Sequence, residues 1–262
     1  MIMKTIRFLT ILFAAQLIYT IAHAQTLRVM TYNIHHGADK DENDKLKEIG
    51  MFIKNSGADL VGLQEVDSVC TRSGKVDQMK TLAALTGMHY AFVRHFAYQG
   101  GAYGQGILSK YPLSDVKNNR LTLLKKDSLR ASLAMISAQI NISRKQQVVF
   151  ASAHYSLDEP TRMLQAQETI AFAAQQKLPV IFTGDLNATP EAAEIRYLDT
   201  LFNLTNYKGN FTFPADKPVR TIDYIYVTTP HLERVIADIA PKAEHSDHLP
   251  VMTTFKLKQT SR

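Results

Sequence analysis

At 262 residues, 45% of them hydrophobic, the chain is long enough to bury one large α/β core and too apolar to be disordered. Its formal net charge of +6 includes no long basic run, which argues against a dedicated electrostatic nucleic-acid binder but permits a phosphate-bearing partner. A lone cysteine, Cys70, excludes any intrachain disulfide.

The first expected element is an export signal. Lys4 and Arg7 precede an apolar run over residues 8–21, and Ala22-His23-Ala24 offers small residues for cleavage. Residues 1–24 are read as a signal peptide and 25–262 as one domain, secreted or periplasmic, with no transmembrane anchor after cleavage. Losing Lys4 and Arg7 lowers the charge from +6 to +4. A monomer is expected.

Residues 27–32 read as a strand that delivers Asn33, His35 and His36 at its end. A helix is expected over 41–55, with Leu46, Ile49, Phe52 and Ile53 on one face and Gly57 closing it. Residues 60–63 form a short apolar strand leading into Gln64, Glu65 and Asp67, and a second helix spans 76–85. Residues 90–96 are extended; the glycines at 100, 101, 104 and 106 mark a turn region carrying Tyr103 and Gln105. Residues 107–108 form a brief strand. Two β-rich stretches, 129–140 and 147–154, flank a hairpin turn at 141–145 and imply antiparallel pairing. A helix covers 159–176, with Pro160 in its first turn. Val180-Ile-Phe-Thr-Gly-Asp185 reads as a strand buried on both faces, with Asp185 and Asn187 at its mouth. A helix from Pro190 to about Leu201 follows, then extended pieces at 211–213, 221–227 and 251–255.

Crossover units mixed with hairpins imply a layered α/β fold with mixed sheets. The polar residues at strand ends are Asn33, Glu65, His154, Asp185, Asn187, Asp223, Asp247 and His248. Independent turns would rarely collect two histidines and four carboxylates. Hard oxygen donors beside acid-base groups, without the cysteines of a structural zinc site, suit magnesium or manganese. Taken singly, each residue has a plainer reading: Asn33 as a cap, Glu65 as a loop acid, Asp223 as a partner for Arg220, His248 as a satisfied core histidine.

In this order the chain carries T-Y-N-I-H-H-G at 31–37, L-Q-E-V-D at 63–67, G-Q-G-I-L-S at 104–109 and A-H-Y at 153–155. G-D-L-N at 184–187, R-T-I-D-Y at 220–224 and S-D-H-L-P at 246–250 follow. Together they resemble the endonuclease/exonuclease/phosphatase superfamily, metal-dependent phosphoesterases related to deoxyribonuclease I, sphingomyelinases and inositol polyphosphate 5-phosphatases. The resemblance implies a four-layer α/β sandwich, two packed mixed sheets flanked by helices, with the site at one edge.

It also implies roles: Glu65, Asn33 and Asp247 as ligands of Mg2+ or Mn2+, Asp185 positioned by Asn187 to activate water, Asp223 orienting His248, and His154 on the phosphate or leaving group. Tyr103 and Arg130 are the implied phosphate contacts. His35, His36 and His245 match no family role. His35 and His154 depart from the base-excision endonuclease branch, so intracellular DNA repair is not expected. The implied activity is hydrolysis of a phosphate ester, a diester before a monoester. The substrate is left open between nucleic acid, a phospholipid head group and a small phosphodiester or sugar phosphate. The rival reading is a phosphate-binding or partner-dependent protein that keeps the fold without independent catalysis.

Overall fold

The computed structural model describes residues 26–125, 130–144, 146–205, 211–228, 232–239 and 243–257. The segment 1–24, read from the sequence as a signal peptide, lies outside the described residues.

Two six-stranded sheets pack face to face. The first contains β1 (Thr26–Asn33), β2 (Leu60–Ser68), β3 (His89–Tyr98), β4 (Gly101–Ser109), β11 (Leu232–Ile239) and β12 (Val251–Leu257), in the order β11-β12-β1-β2-β4-β3. The second contains β5 (Leu113–Thr122), β6 (Ser132–Ser143), β7 (Gln146–His154), β8 (Val180–Asp185), β9 (Asn203–Leu204) and β10 (Asp223–Val227), in the order β5-β6-β7-β8-β10-β9. Helices α1 (Leu46–Ser56) and α2 (Gln78–Thr86) cover the outer face of the first sheet, and α3 (Glu159–Ala174) and α4 (Ala193–Leu198) cover that of the second. The expected four-layer sandwich is therefore the observed one.

Strand parity builds these layers. On β1, Leu27 and Val29 face the opposite sheet while Met30 and Tyr32 face α1. On β8, Ile181 faces inward and Val180 and Phe182 face the helices. Continuing the inward parity along β1, β7 and β8 leads through Thr31, Ser152 and Thr183 to Asn33, His154 and Asp185. Just below the site the inter-sheet layer is polar: Gln64 Nε2 donates to Ser152 Oγ (2.8 Å) and Thr31 Oγ1 (3.1 Å), joining the two sheets.

Four expectations are corrected. The first helix starts at Leu46, not at 41, because the Asp39 carboxylate takes the amides of Asp41 (2.9 Å) and Asn43 (3.0 Å) and shapes a turn. The glycine-rich stretch is strand β4. Of those glycines only Gly100 turns, at φ 82°, while a Cβ on Gly101 would overlap the Ser68 carbonyl and one on Gly104 that of Val93. Here the glycines let strands close up. β5 had no sequence signal because it is a sheet edge, exposed through most of its length on both faces. The helix expected from 190 to 201 is shortened to Ala193–Leu198.

Candidate active site

The site lies where strands of both sheets end together. In the parallel β7–β8 pair, His154 is opposite Asp185; in the antiparallel β8–β10 pair, Asp223 is opposite Asp185. Register alone thus lines His154, Asp185 and Asp223 across three neighbouring strands. Asn33 comes to the same point from the other sheet, with Nδ2 3.1 Å from Asp185 Oδ2 and 3.1 Å from Glu65 Oε1.

Glu65 reaches the cleft through an irregularity. The β2–β4 register shifts between Leu63 and Val66, and Glu65 takes φ 58°, so the side chain leaves the ladder while Leu63 and Val66 both stay in the core beneath α1 and α2. Asn187 also has positive φ (51°). Its amide N–H donates to Asp185 Oδ1 (2.9 Å), and its carboxamide nitrogen lies 2.9 Å from His154 Nε2 and donates to the Tyr155 carbonyl (3.0 Å).

His248 precedes β12 on the loop that returns to the first sheet. Ser246 Oγ, which donates to the Asn33 carbonyl (2.7 Å) and accepts from the His248 amide (3.3 Å), fixes that loop. The ring packs 4.6 Å from that of Phe213. Its Nδ1 lies 3.0 Å from Asp223 Oδ2 and its Nε2 3.6 Å from Asp185 Oδ2. Burial alone would lower the His248 pKa, but the Asp223 and Asp185 carboxylates outweigh it and hold the imidazole up at about 10. Burial pushes Asp223 upward, and the imidazole opposes that rise. His248 is therefore an imidazolium at neutral pH. Asp223 pairs with it and not with Arg220, whose guanidinium sits over the Phe213 ring, 5.0 Å from its centroid.

These groups open into a cleft of about 610 Å³ lined by Glu65, Asp185, Asp247, His154 and His248, with Tyr103, Lys125 and Arg130 on its walls. All ten expected site residues are thus gathered at one place, Asp223 and Asn33 lying directly behind the lining. Burial, then Glu65, push the Tyr103 phenol well above its usual range, so it stays a protonated donor.

Arg72 and His95 are among the lining residues that sequence reasoning missed. Arg72, on the loop after β2, grips the fully buried Asp67 through Nε (2.8 Å) and Nη2 (2.9 Å) and stacks over Tyr98 and Tyr103. It carries no periodic signal. His95 accepts the Ala134 amide at Nδ1 (2.6 Å), and its Nε2 lies 2.6 Å from the Gln105 carboxamide nitrogen. Burial, with His154 and Arg120 nearby, holds its pKa well below the usual value, so it is a neutral wall. The alternation with Val93 was the signal that could have found it.

Glu65 and Asp247 line the cleft with carboxylate oxygens, the chemistry that fits a hard divalent cation; Asn33 would join them through its carboxamide oxygen, which here accepts the His35 amide while its nitrogen faces Glu65. Asp185, Asp223 and His248 also place ligand atoms within 4.8 Å of one another, but Asp223 and His248 are satisfied by each other.

Residues 30–248 match the model of the Endonuclease/Exonuclease/phosphatase family. "Uncharacterized protein YbhP" of Escherichia coli K12 is 24% identical over 250 residues, covering 88% of this chain and 97% of that one. The endonuclease/exonuclease/phosphatase of Beutenbergia cavernae superposes with a TM-score of 0.74 at 20% identity, covering 89% of this chain and 72% of that one. The human nocturnin catalytic domain, with bound sulfate anion, gives a TM-score of 0.71 at 20% identity, over 89% of this chain and 94% of that one. With its motifs at the ends of paired strands and its fold shared with these structures, the chain belongs to the endonuclease/exonuclease/phosphatase family.

Proposed function

We propose that the chain is a divalent-metal-dependent phosphoric ester hydrolase that cleaves a P–O bond by in-line attack of water, with a diester as its preferred substrate. The observation that carries this is the convergence of Asp185, Asn187, His154 and the His248–Asp223 pair beside Asn33 and Glu65. Glu65, Asn33 and Asp247 would hold magnesium or manganese, which when bound neutralises charge on the scissile phosphate.

The protein groups divide the remaining work. His248 keeps its proton at neutral pH, so it suits stabilising charge on the phosphoryl oxygens and not removing a proton from water. Asp185, whose Oδ1 is fixed by the Asn187 amide, is left as the group that orients or deprotonates the water. His154, 3.4 Å from Asp185 Oδ2, suits contact with the phosphate or leaving group. Arg72, Tyr103, Lys125 and Arg130 supply donors for the rest of the substrate. The leader-like segment 1–24 supports a secreted or periplasmic setting, where nucleic acids, phospholipid head groups and small phosphodiesters are all available.

The test is hydrolysis of bis-p-nitrophenyl phosphate and p-nitrophenyl phosphate by the purified chain lacking residues 1–24, with magnesium, manganese or EDTA, and with His248→Ala as the contaminant control. Diester turnover that needs metal and disappears in the variant supports the proposal. Monoester turnover alone would correct the substrate class. No turnover, with phosphate still bound, would favour the rival reading of a binding protein.

A further inference from the structure

Outside the cleft, the turn after β1 has a construction that the hydrolytic site does not need. His35, His36 and Gly37 adopt positive φ in succession (43°, 44° and 78°), and Glu42 does so at 63°. For a residue with a Cβ this conformation is strained and uncommon. Here it brings three side chains together: His35 Nε2 lies 3.6 Å from Glu42 Oε1, His36 Nε2 lies 3.2 Å from Glu42 Oε2, and the two ring centroids are 4.5 Å apart.

The protons do not suit that arrangement. His35 Nδ1 faces the Asp39 carbonyl at 3.2 Å, and a carbonyl can only accept, so Nδ1 carries the proton. In that tautomer the ring aims its Nε2 lone pair at a carboxylate, which repels it. A cation between them removes the conflict. A single proton on one ring also removes it, but only a metal ion serves both rings at once, since two imidazoliums in contact repel each other.

We propose that His35, His36 and Glu42 form a second divalent-metal site, of the zinc class, separate from the oxygen-donor set in the cleft. Their ligand atoms all lie within 4.8 Å of one another. The nitrogen–oxygen distances of 3.2 and 3.6 Å bracket the edge of about 3.3 Å expected of a tetrahedron with bonds of about 2.0 Å. Two imidazoles and one carboxylate select zinc, or another borderline transition ion, over magnesium or calcium, and leave a fourth position for water. The Asp39 carbonyl on His35 Nδ1 is the outer partner that fixes a ligating ring. Glu42 has its ion-pair contacts with these two rings, while nearby Lys40 and Lys45 engage Asp41 and Asp39. The bound ion would clamp the turn that follows Asn33, whose Oδ1 accepts the His35 amide (3.1 Å).

The test uses untagged protein stripped with EDTA, loaded with zinc in millimolar magnesium, gel-filtered and assayed for zinc per chain, with cobalt as an optical probe. The expected result is one equivalent of zinc retained by the wild type, a visible cobalt d–d band, and zinc binding weakened at least about tenfold in Glu42→Gln and in His36→Asn. Asparagine tolerates the positive φ at 36, and position 42 is two-thirds exposed, so Glu42→Gln carries the test if the other variant misfolds. Failure of the wild type to retain zinc overturns the proposal. So does zinc retained equally by Glu42→Gln, or zinc lost only when Asp223 and His248 are replaced.

Discussion

His248 presents Nδ1 to Asp223 Oδ2 at 3.0 Å with both side chains buried, and the carboxylate favours the charged form of the imidazole that lines the cleft. Asp223→Asn should cost about 10²–10⁴ in kcat. It should also move the alkaline limb of the rate profile down from about pH 10, because the carboxylate is what holds the imidazole there. The stability sign follows from the same shift. The folded pKa lies above the ordinary 6.5, so this contribution is complete below 6.5 and is lost as pH rises through about 10. A pH–rate profile of both proteins checks it; an unmoved alkaline limb would remove His248 from the rate-determining protonation.

Asp185→Asn keeps an acceptor for the Asn187 amide and so should fold with an unchanged circular dichroism spectrum. Turnover should fall by about 10²–10⁴, since the group facing the water can no longer take a proton. Retained turnover under single-turnover conditions would defeat the water-activation role.

Arg72 is the sole charged partner in contact with the fully buried Asp67 among the ion pairs of the described residues. Arg72→Ala leaves that carboxylate uncompensated and should cost roughly 3–5 kcal/mol in urea unfolding. The double variant Asp67→Asn with Arg72→Met should recover part of the loss. Substrate affinity should stay impaired in both, because the guanidinium lining the cleft is gone. Full recovery of KM in the double variant would show that Arg72 acts only through the fold.

Gly104→Ala should destabilise more than Gly74→Ala, although both remove a glycine. At Gly104 the added methyl meets the Val93 carbonyl of the paired strand, an overpacking cost of about 1–3 kcal/mol or more. At Gly74 nothing lies within 4 Å, and only the left-handed backbone (φ 67°) is penalised, by about 1 kcal/mol. Thermal melts rank the two; equal losses would mean that β3 and β4 can separate without cost.

Much of the site was legible because buried strands announce themselves by apolar runs, and a polar residue that ends such a run is conspicuous. Asn33, His154, Asp185 and Asp223 all followed from that rule. Glu65 was found by position, but its route was not: the register shift after Leu63 that turns it out of the ladder leaves no mark on composition. The glycines of β4 were misread for a related reason. Glycine signals either a turn or a close approach, and only the neighbouring strand decides which.

The sequence by itself determined which segments are buried, which residues end them and what chemistry those residues offer, since hydrophobic periodicity and side-chain type are local properties. The tertiary structure chose between the two partners that the sequence left for Asp223, giving it to His248 and not Arg220, and it alone decided that Arg72 with Asp67 and the His35–His36–Glu42 cluster exist as units. These depend on strand register and on loop paths set by packing between residues far apart in the chain, which no local pattern encodes.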